Sequence, residues 1–214
     1  DVYKRQESTE GKTIGLSYFK ERGFDEKTIR LFDLGYALKK FDNLYNESLR
    51  YGYEKEYLLK TGLVMKNERG YIDRFRGRVI FPIKSMSGRI LGFGARTLNT
   101  LLNTAKYLNS PESETYSKGE VLYGLYEAKK AIAREDSCYL VEGYTDVIQM
   151  YQKGIENTVS SSGTALTIHQ IRLIRRLTQN IVVLFDGDSA GQKAAIRGIA
   201  VSYTHLTLPT IYSV

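Results

Sequence analysis

The strongest constraint on the fold is an alternation in the C-terminal part of the chain. Three short strand-like runs, Cys138–Val141, Asn157–Ser161 and Ile181–Phe185, are each preceded by a helical stretch. Those stretches are Leu122–Ala133, Thr145–Lys153 and a segment with Ile168, Ile171, Ile174 and Leu177 on one stripe; an Ala-rich helix is expected from Ser189. The first and third runs are apolar at consecutive positions, a pattern strands show when both faces are covered. Strand–helix alternation of this kind predicts a parallel sheet flanked by helices, an α/β fold.

The N-terminal part reads differently. Ser17–Lys27, Glu26–Phe32 and Glu54–Thr61 carry helical spacing, with Gly23, Gly35 and Gly62 as stops. From Arg74 the period shortens. Arg78–Ile83 and Arg89–Phe93 are β-branched and aromatic runs joined by Lys84-Ser85-Met86-Ser87-Gly88, which predicts a hairpin. An extended approach to that hairpin would set Arg74, Arg76 and Arg78 on one face, holding an anion or fanning into solvent. Asn99–Gly119 is polar, contains Pro111 and predicts a long surface loop. The boundary between a mixed α+β part and the α/β part is expected near residue 120.

Charge locates a partner. The chain of 214 residues carries a net charge of +7. Between Lys66 and Lys106 there are nine Lys or Arg against Glu68 and Asp73, so these 41 residues hold the whole excess. Interleaved with Tyr71, Phe75, Phe81 and Phe93, such a block predicts a surface for a polyanion, nucleic acid or nucleotide. No stretch approaches the length of a membrane span, and residues 1–10 are too polar for a secretory signal, so a soluble protein with no membrane partner is expected. A single cysteine, Cys138, excludes an intrachain disulfide and a Cys-rich zinc site, and fits a reducing cytoplasm. Two histidines, His169 and His205, are too few for a His-ligated cluster.

The chemistry is carried by two acidic motifs, each following an apolar strand. They are Val141-Glu142-Gly143-Tyr144-Thr145-Asp146 and Phe185-Asp186-Gly187-Asp188. In an open parallel sheet ligands bind beyond the carboxyl ends of the strands, so both motifs should open on one edge, one or two strand spacings apart. Glycine after the first acid is expected to allow a sharp turn and a close ligand approach. Carboxylates gathered there suit magnesium, which takes hard oxygen donors and leaves room for water and phosphate. Asp-Gly is also a common turn and helix-start Asp a common cap, and both readings stay open. An EF-hand fails, because Ala190 and Arg197 stand where ligands are needed. Ser160–Thr164 could offer hydroxyls and amides to a phosphate or serve as a helix cap.

Several motifs together carry a resemblance. Arg78-Val-Ile-Phe-Pro-Ile83, Gly88-Arg-Ile-Leu-Gly-Phe-Gly-Ala-Arg96, Lys106-Tyr-Leu-Asn-Ser-Pro-Glu112, Leu122-Tyr-Gly-Leu125, Glu142-Gly-Tyr-Thr-Asp146 and Asp186-Gly-Asp188 resemble the catalytic core of bacterial DnaG-type DNA primases, in order and spacing. Tyr18–Ala37 resembles the helical start of that core. The resemblance implies a mixed α+β subdomain over residues 10–120 preceding an incomplete Toprim-like parallel sheet flanked by helices over 121–200. Residues 1–9 and 201–214 match neither part and are expected to be non-native scars.

The resemblance also implies roles. Glu142, Asp146, Asp186 and Asp188 would be catalytic, with Glu142, Asp186 and Asp188 holding Mg2+ (or Mn2+). Arg74, Arg76, Arg78, Arg96, Lys106, Tyr107, Asn109 and Lys118 would bind template or nucleotide. The implied reaction is template-directed synthesis of RNA primers on single-stranded DNA from ribonucleoside triphosphates. It would take place in the bacterial cytoplasm, at the nucleoid-associated replication machinery. The family's zinc module and its region for the replicative helicase have no counterpart here, so zinc is not expected in this chain.

Overall fold

The computed structural model describes residues 10–68, 70–99, 105–162, 166–185 and 210–213. The chain divides into two compact units: residues 1–82 with 91–117, and residues 83–90 with 118–214.

In the first unit a π-helical turn, Gly11–Leu16, runs into α1 (Ser17–Glu21). Helix α2 (Glu26–Leu31) starts where the Asp25 carboxylate accepts the Thr28 N–H at 2.6 Å, a side-chain cap that also holds the Asp25 carboxyl below its ordinary pKa. The first third is less helical than its spacing predicts. Gly35 does not end an element; it opens strand β1 (Gly35–Ala37), which lies antiparallel to β4 (Arg78–Lys84). Between them come α3 (Asn43–Arg50), α4 (Lys55–Lys60) and the paired strands β2 (Val64–Asn67) and β3 (Gly70–Asp73). Strands β5 (Ile90–Thr97) and β6 (Tyr107–Asn109) complete a sheet of order β1-β4-β5-β6.

Strand β4 is buried along its whole length, as a central strand should be. Pro82 is tolerated because β1 pairs only with Arg78–Ile80, so no donor is missed on that side. Phe19, Phe24 and Phe81 form the aromatic core, with Phe19 edge-on to Phe81 at 6.2 Å. Two expectations change here. Residues Arg74–Gly77 form a turn rather than an extended approach, so period two does not align the three arginines. The expected long loop after Asn99 contains β6, and Ser110 and Tyr116 beyond it are buried.

The second unit is the expected α/β sheet. Its strands β7 (Cys138–Val141), β8 (Thr158–Ser160), β9 (Ile181–Phe185) and β10 (Thr210–Ser213) are ordered β10-β9-β7-β8, and every neighbouring pair is parallel. Helices α5 (Leu125–Glu135), α6 (Tyr144–Gln152) and α7 (Ile168–Arg175) flank it. Leu125, Ala128 and Ile132 of α5 and Ile171 and Ile174 of α7 close one core with Cys138, Leu140, Val159, Ile181 and Val183. Burial of Cys138 in that core pushes its thiol pKa well up. Helix α5 starts at Leu125, later than Leu122, because Gly124 turns the chain with φ of +80°; a Cβ there would lie 2.6 Å from Val147.

The hairpin tip behaves as part of this unit. Gly88 closes it with an N–H to the Ser85 carbonyl at 2.9 Å, and Met86 packs on the core. Lys84 is thereby withdrawn from the basic surface: its Nζ meets Glu127 Oε1 at 2.8 Å, with both side chains buried. Lys129 Nζ donates to the Met86 carbonyl at 2.7 Å. Among the described residues no helix is long and apolar enough to cross a membrane.

Candidate functional site

The acidic edge belongs to the second unit. Strands β7 and β9 are direct neighbours, with Cys138, Tyr139 and Leu140 opposite Ile181, Val182 and Val183. Parallel strands carry their carboxyl ends to the same edge, and adjacent ones are separated by about 4.8 Å. Glu142 follows β7 at that edge, and β9 ends on Phe185, the residue before Asp186. The strands that lead into the two motifs are therefore one spacing apart. Asp186 and Asp188 lie outside the described residues, as does the Ala-rich stretch from Ser189. Among the described residues no group of three His, Cys, Asp or Glu side chains stands together as a metal site.

The turn at Glu142 is tied down from β8. The Ser160 hydroxyl donates to the Glu142 carbonyl at 2.6 Å and accepts the Ser162 N–H at 2.9 Å. Asp146 serves the same turn from the helix: its Oδ2 accepts the Gly143 N–H at 2.9 Å, and its Oδ1 accepts the Thr145 hydroxyl at 3.4 Å. Gly143 does not make a sharp turn, since its φ of −123° is ordinary extended backbone. What it provides is room, because a Cβ there would lie 3.1 Å from the Asp146 carboxylate.

Ser160–Thr164 is not the cap of the next helix. Thr167 caps α7, accepting the Gln170 N–H at 3.1 Å while Gln170 Oε1 accepts the Thr167 N–H at 3.1 Å. Gly163 and Thr164 lie outside the described residues. Gln170, fully buried, also donates through Nε2 to the carbonyls of Lys118 (3.2 Å) and Val121 (2.8 Å), fixing the backbone that carries Lys118. His169 is exposed, 3.9 Å from Glu120.

The remaining basic positions belong to the first unit and frame two open clefts. One, of about 420 Å³, is lined by Lys39, Arg74, Arg76, Gly77, Arg78, Thr97 and Asn99. The turn at Arg74–Gly77 thus still brings the three arginines to a common cavity. Arg78 is buried and donates to the carbonyls of Ala105 (3.0 Å) and Lys106 (3.4 Å). Burial, and secondarily the charge of Arg76, lowers its pKa. The Nε of Arg74 is buried and has no hydrogen-bond partner among the described residues.

The second cleft, of about 640 Å³, is lined by Arg96 and Lys106 together with Tyr18, Ser17, Thr13 and Asn99. Arg96 donates to the Tyr18 hydroxyl at 2.8 Å and lies 5.4 Å and 5.5 Å from the ring centres of Tyr18 and Tyr107. Burial raises the Tyr18 phenol pKa although Arg96 pulls it down. Tyr107 and Asn109 sit on β6, Asn109 opposite Gly94. Sequence reasoning missed Lys39 and Tyr18 as cleft residues; one stands just past a three-residue strand and the other in a helix.

Comparison with known proteins gives a consistent picture. Residues 2–129 match the family model described as DNA primase catalytic core, N-terminal domain, and residues 139–209 match one described as Toprim-like. The chain is 44% identical over 187 residues to a DNA primase of Deinococcus radiodurans, covering 86% of this chain and 32% of that protein. It is 39% identical over 196 residues to the DNA primase of Escherichia coli K12, covering 91% of this chain and 33% of that one. The crystal structure of the RNA polymerase domain of Mycobacterium tuberculosis primase DnaG superposes with a TM-score of 0.91 at 34% identity, covering 99% of this chain and 71% of that one. A DnaG primase catalytic domain bound to single-stranded DNA superposes with a TM-score of 0.88 at 35% identity, covering 99% of this chain and 66% of that one. The chain spans about a third of the length of the curated relatives it matches.

Proposed function

The chain belongs to the bacterial DnaG-type DNA primase family, and on that premise we propose that it carries the polymerising core of a primase. The reaction is template-directed synthesis of short RNA primers on single-stranded DNA. A ribonucleotide 3′-hydroxyl attacks the α-phosphate of an incoming ribonucleoside triphosphate, the bond to the β-phosphate breaks, and pyrophosphate leaves. The observation that carries this reading is the parallel adjacency of β7 and β9, the strands that precede Glu142 and the Asp186–Asp188 motif in the sequence.

Proteins of this family use divalent metal ions. The donor set fits such an ion: carboxylate oxygens from Glu142, Asp186 and Asp188, with the Glu142 turn anchored by Ser160. Mg2+ or Mn2+ held there would lower the pKa of the attacking hydroxyl and neutralise charge on the phosphates. Asp146 keeps the Glu142 turn in place through the Gly143 N–H. Arg74, Arg76, Arg78, Arg96 and Lys106 bind phosphates of template or triphosphate, and Tyr107 and Asn109 support them from β6. In the second unit, Lys118 binds template or nucleotide phosphate in its own right. In the whole enzyme, segments beyond this chain would meet the replicative helicase in the bacterial cytoplasm, beside the nucleoid.

Incubation with a single-stranded template, ribonucleoside triphosphates and Mg2+ tests the reading. Short RNA products are expected from the full-length enzyme. Degradation of the template instead would assign the acidic edge to a nuclease, and binding without products would leave an inert interaction module.

A further inference from the structure

We propose that Thr167 and Gln170, the residues that cap α7, are positioning residues for Lys118: their spare hydrogen-bond donors fix the main chain of residues 118–121 before a phosphate reaches the Lys118 ammonium. The inference rests on the reading of Lys118 as a phosphate-binding residue and names what holds it.

A capping box needs two acceptors. The Thr167 hydroxyl accepts the Gln170 N–H and the Gln170 Oε1 accepts the Thr167 N–H, each at 3.1 Å. Glutamate at position 170 would close that box as well as glutamine does. The box leaves three hydrogens over: the Thr167 O–H and both hydrogens of the Gln170 amide. All three are directed out of the helix to one segment. Thr167 Oγ1 donates to the Gly119 carbonyl, and Gln170 Nε2 donates to the carbonyls of Lys118 at 3.2 Å and Val121 at 2.8 Å. Gln170 is fully buried, so water cannot replace these acceptors if the segment shifts. A glutamate carboxylate would bring no hydrogen to either carbonyl, so the amide is required by the segment and not by the helix.

Lys118–Glu120 is a three-residue 3-10 turn, with weak hydrogen-bond geometry of its own. The chain beyond it is fastened too. Tyr123 exchanges both backbone hydrogen bonds with Ser160, at 2.9 and 3.1 Å, and the Ser160 hydroxyl donates to the Glu142 carbonyl at 2.6 Å. The backbone that carries Lys118 and the turn that carries Glu142 are therefore held by one set of contacts within the second unit. Lys118 itself is half-buried. Ordering a long lysine side chain on a phosphate costs least when its main chain is already fixed. A purely architectural Gln170 would brace the segment whatever stood at position 118. The two roles differ in what happens once Lys118 is gone.

The full-length enzyme decides between them through Gln170→Glu, Lys118→Ala and the double variant. Template Kd is measured by fluorescence anisotropy, and KM and kcat for ribonucleoside triphosphates by primer synthesis. Lys118→Ala should raise either Kd or KM about tenfold, the scale of one lost charge-assisted hydrogen bond. The constant that rises identifies the phosphate as the template's or the triphosphate's. Gln170→Glu should raise the same constant at least about threefold, with kcat within about twofold. Added to Lys118→Ala, it should raise that constant by less than about twofold further. Additive effects in the double variant, a rise in the other constant, or no rise in Gln170→Glu would overturn the positioning role. Should Gln170→Glu not fold, Thr167→Ala and Thr167→Ser carry the test. The first should raise the constant and the second should restore the unmodified value; equal constants for the two would overturn the role. If Lys118→Ala changes neither constant, Lys118 binds no phosphate and the inference fails while the primase reading stands. Absence of primers from the unmodified full-length enzyme would remove the primase reading itself.

Discussion

Lys84 and Glu127 meet at 2.8 Å with side chains only 6% and 4% exposed, joining the tip of the β4–β5 hairpin to α5. Two opposite charges withdrawn from water are tolerable together and costly apart. A residue counted by its charge with the anion-binding block is thus a packing element.

Removing Lys84 alone should be strongly destabilising. Lys84→Met leaves Glu127 buried without its cation and should cost about 3–5 kcal/mol. The double variant Lys84→Met, Glu127→Leu should recover most of that loss. Urea unfolding of the two single variants and the double variant measures the coupling; additive losses would contradict it.

The cleft arginines should govern how salt affects template binding. Replacing Arg74 and Arg76 with Gln should flatten the dependence of log K on log salt by about 0.7 for each phosphate no longer neutralised. Arg78 is left in place because it also ties the carbonyls of Ala105 and Lys106. Anisotropy titrations from low to moderate salt provide the slope, and an unchanged slope would send the template elsewhere.

Chemistry and binding should separate at the acidic edge. Glu142→Gln in the full-length enzyme should reduce primer synthesis to background and leave oligonucleotide affinity unchanged. Ser160→Ala deprives the Glu142 carbonyl and the Ser162 N–H of a partner, a loss of about 1–3 kcal/mol. It should weaken Mn2+ binding, followed by electron paramagnetic resonance, and Ser160→Thr should restore it. Full activity in Glu142→Gln would refute the assignment.

Tyr116 predicts an alkaline transition. Its hydroxyl is buried without a hydrogen-bond partner among the described residues, and burial, aided by Glu112, pushes its pKa up to about 12. An unfolded tyrosine titrates near pH 10. The folded pKa lies above the unfolded one, so this contribution to stability is complete below about pH 10 and is lost as pH rises through about 12. Tyr116→Phe should cost little stability at neutral pH, because no hydrogen bond is broken, and should reduce the loss above pH 10. Thermal unfolding at pH 7 and pH 11 compares the two.

The second unit was legible where apolar residues follow one another without interruption: the sequence bounds of β7 and β9 match the structure residue for residue. The short strands were not. Strands β1 and β6 have three residues each, too few for a period to show. The Arg74–Gly77 turn hid for a related reason, since alternating Arg and aromatic residues imitate a strand. The acidic motifs stand out in the sequence because each is a short continuous run directly after an apolar strand. The smaller cleft was less legible: Lys39 comes from the link after β1, more than thirty residues before the turn it serves. Lys84 misled for the opposite reason, because its partner lies 43 residues on.

Cys138 has a practical consequence. It is the chain's one thiol, fully enclosed by the core of the second unit and stripped of reactivity by that enclosure. A thiol reagent can therefore reach it only when that core opens, and the first unit contributes no signal of its own. Labelling kinetics under native conditions would clock the breathing of the acid-bearing sheet alone, with no engineered probe.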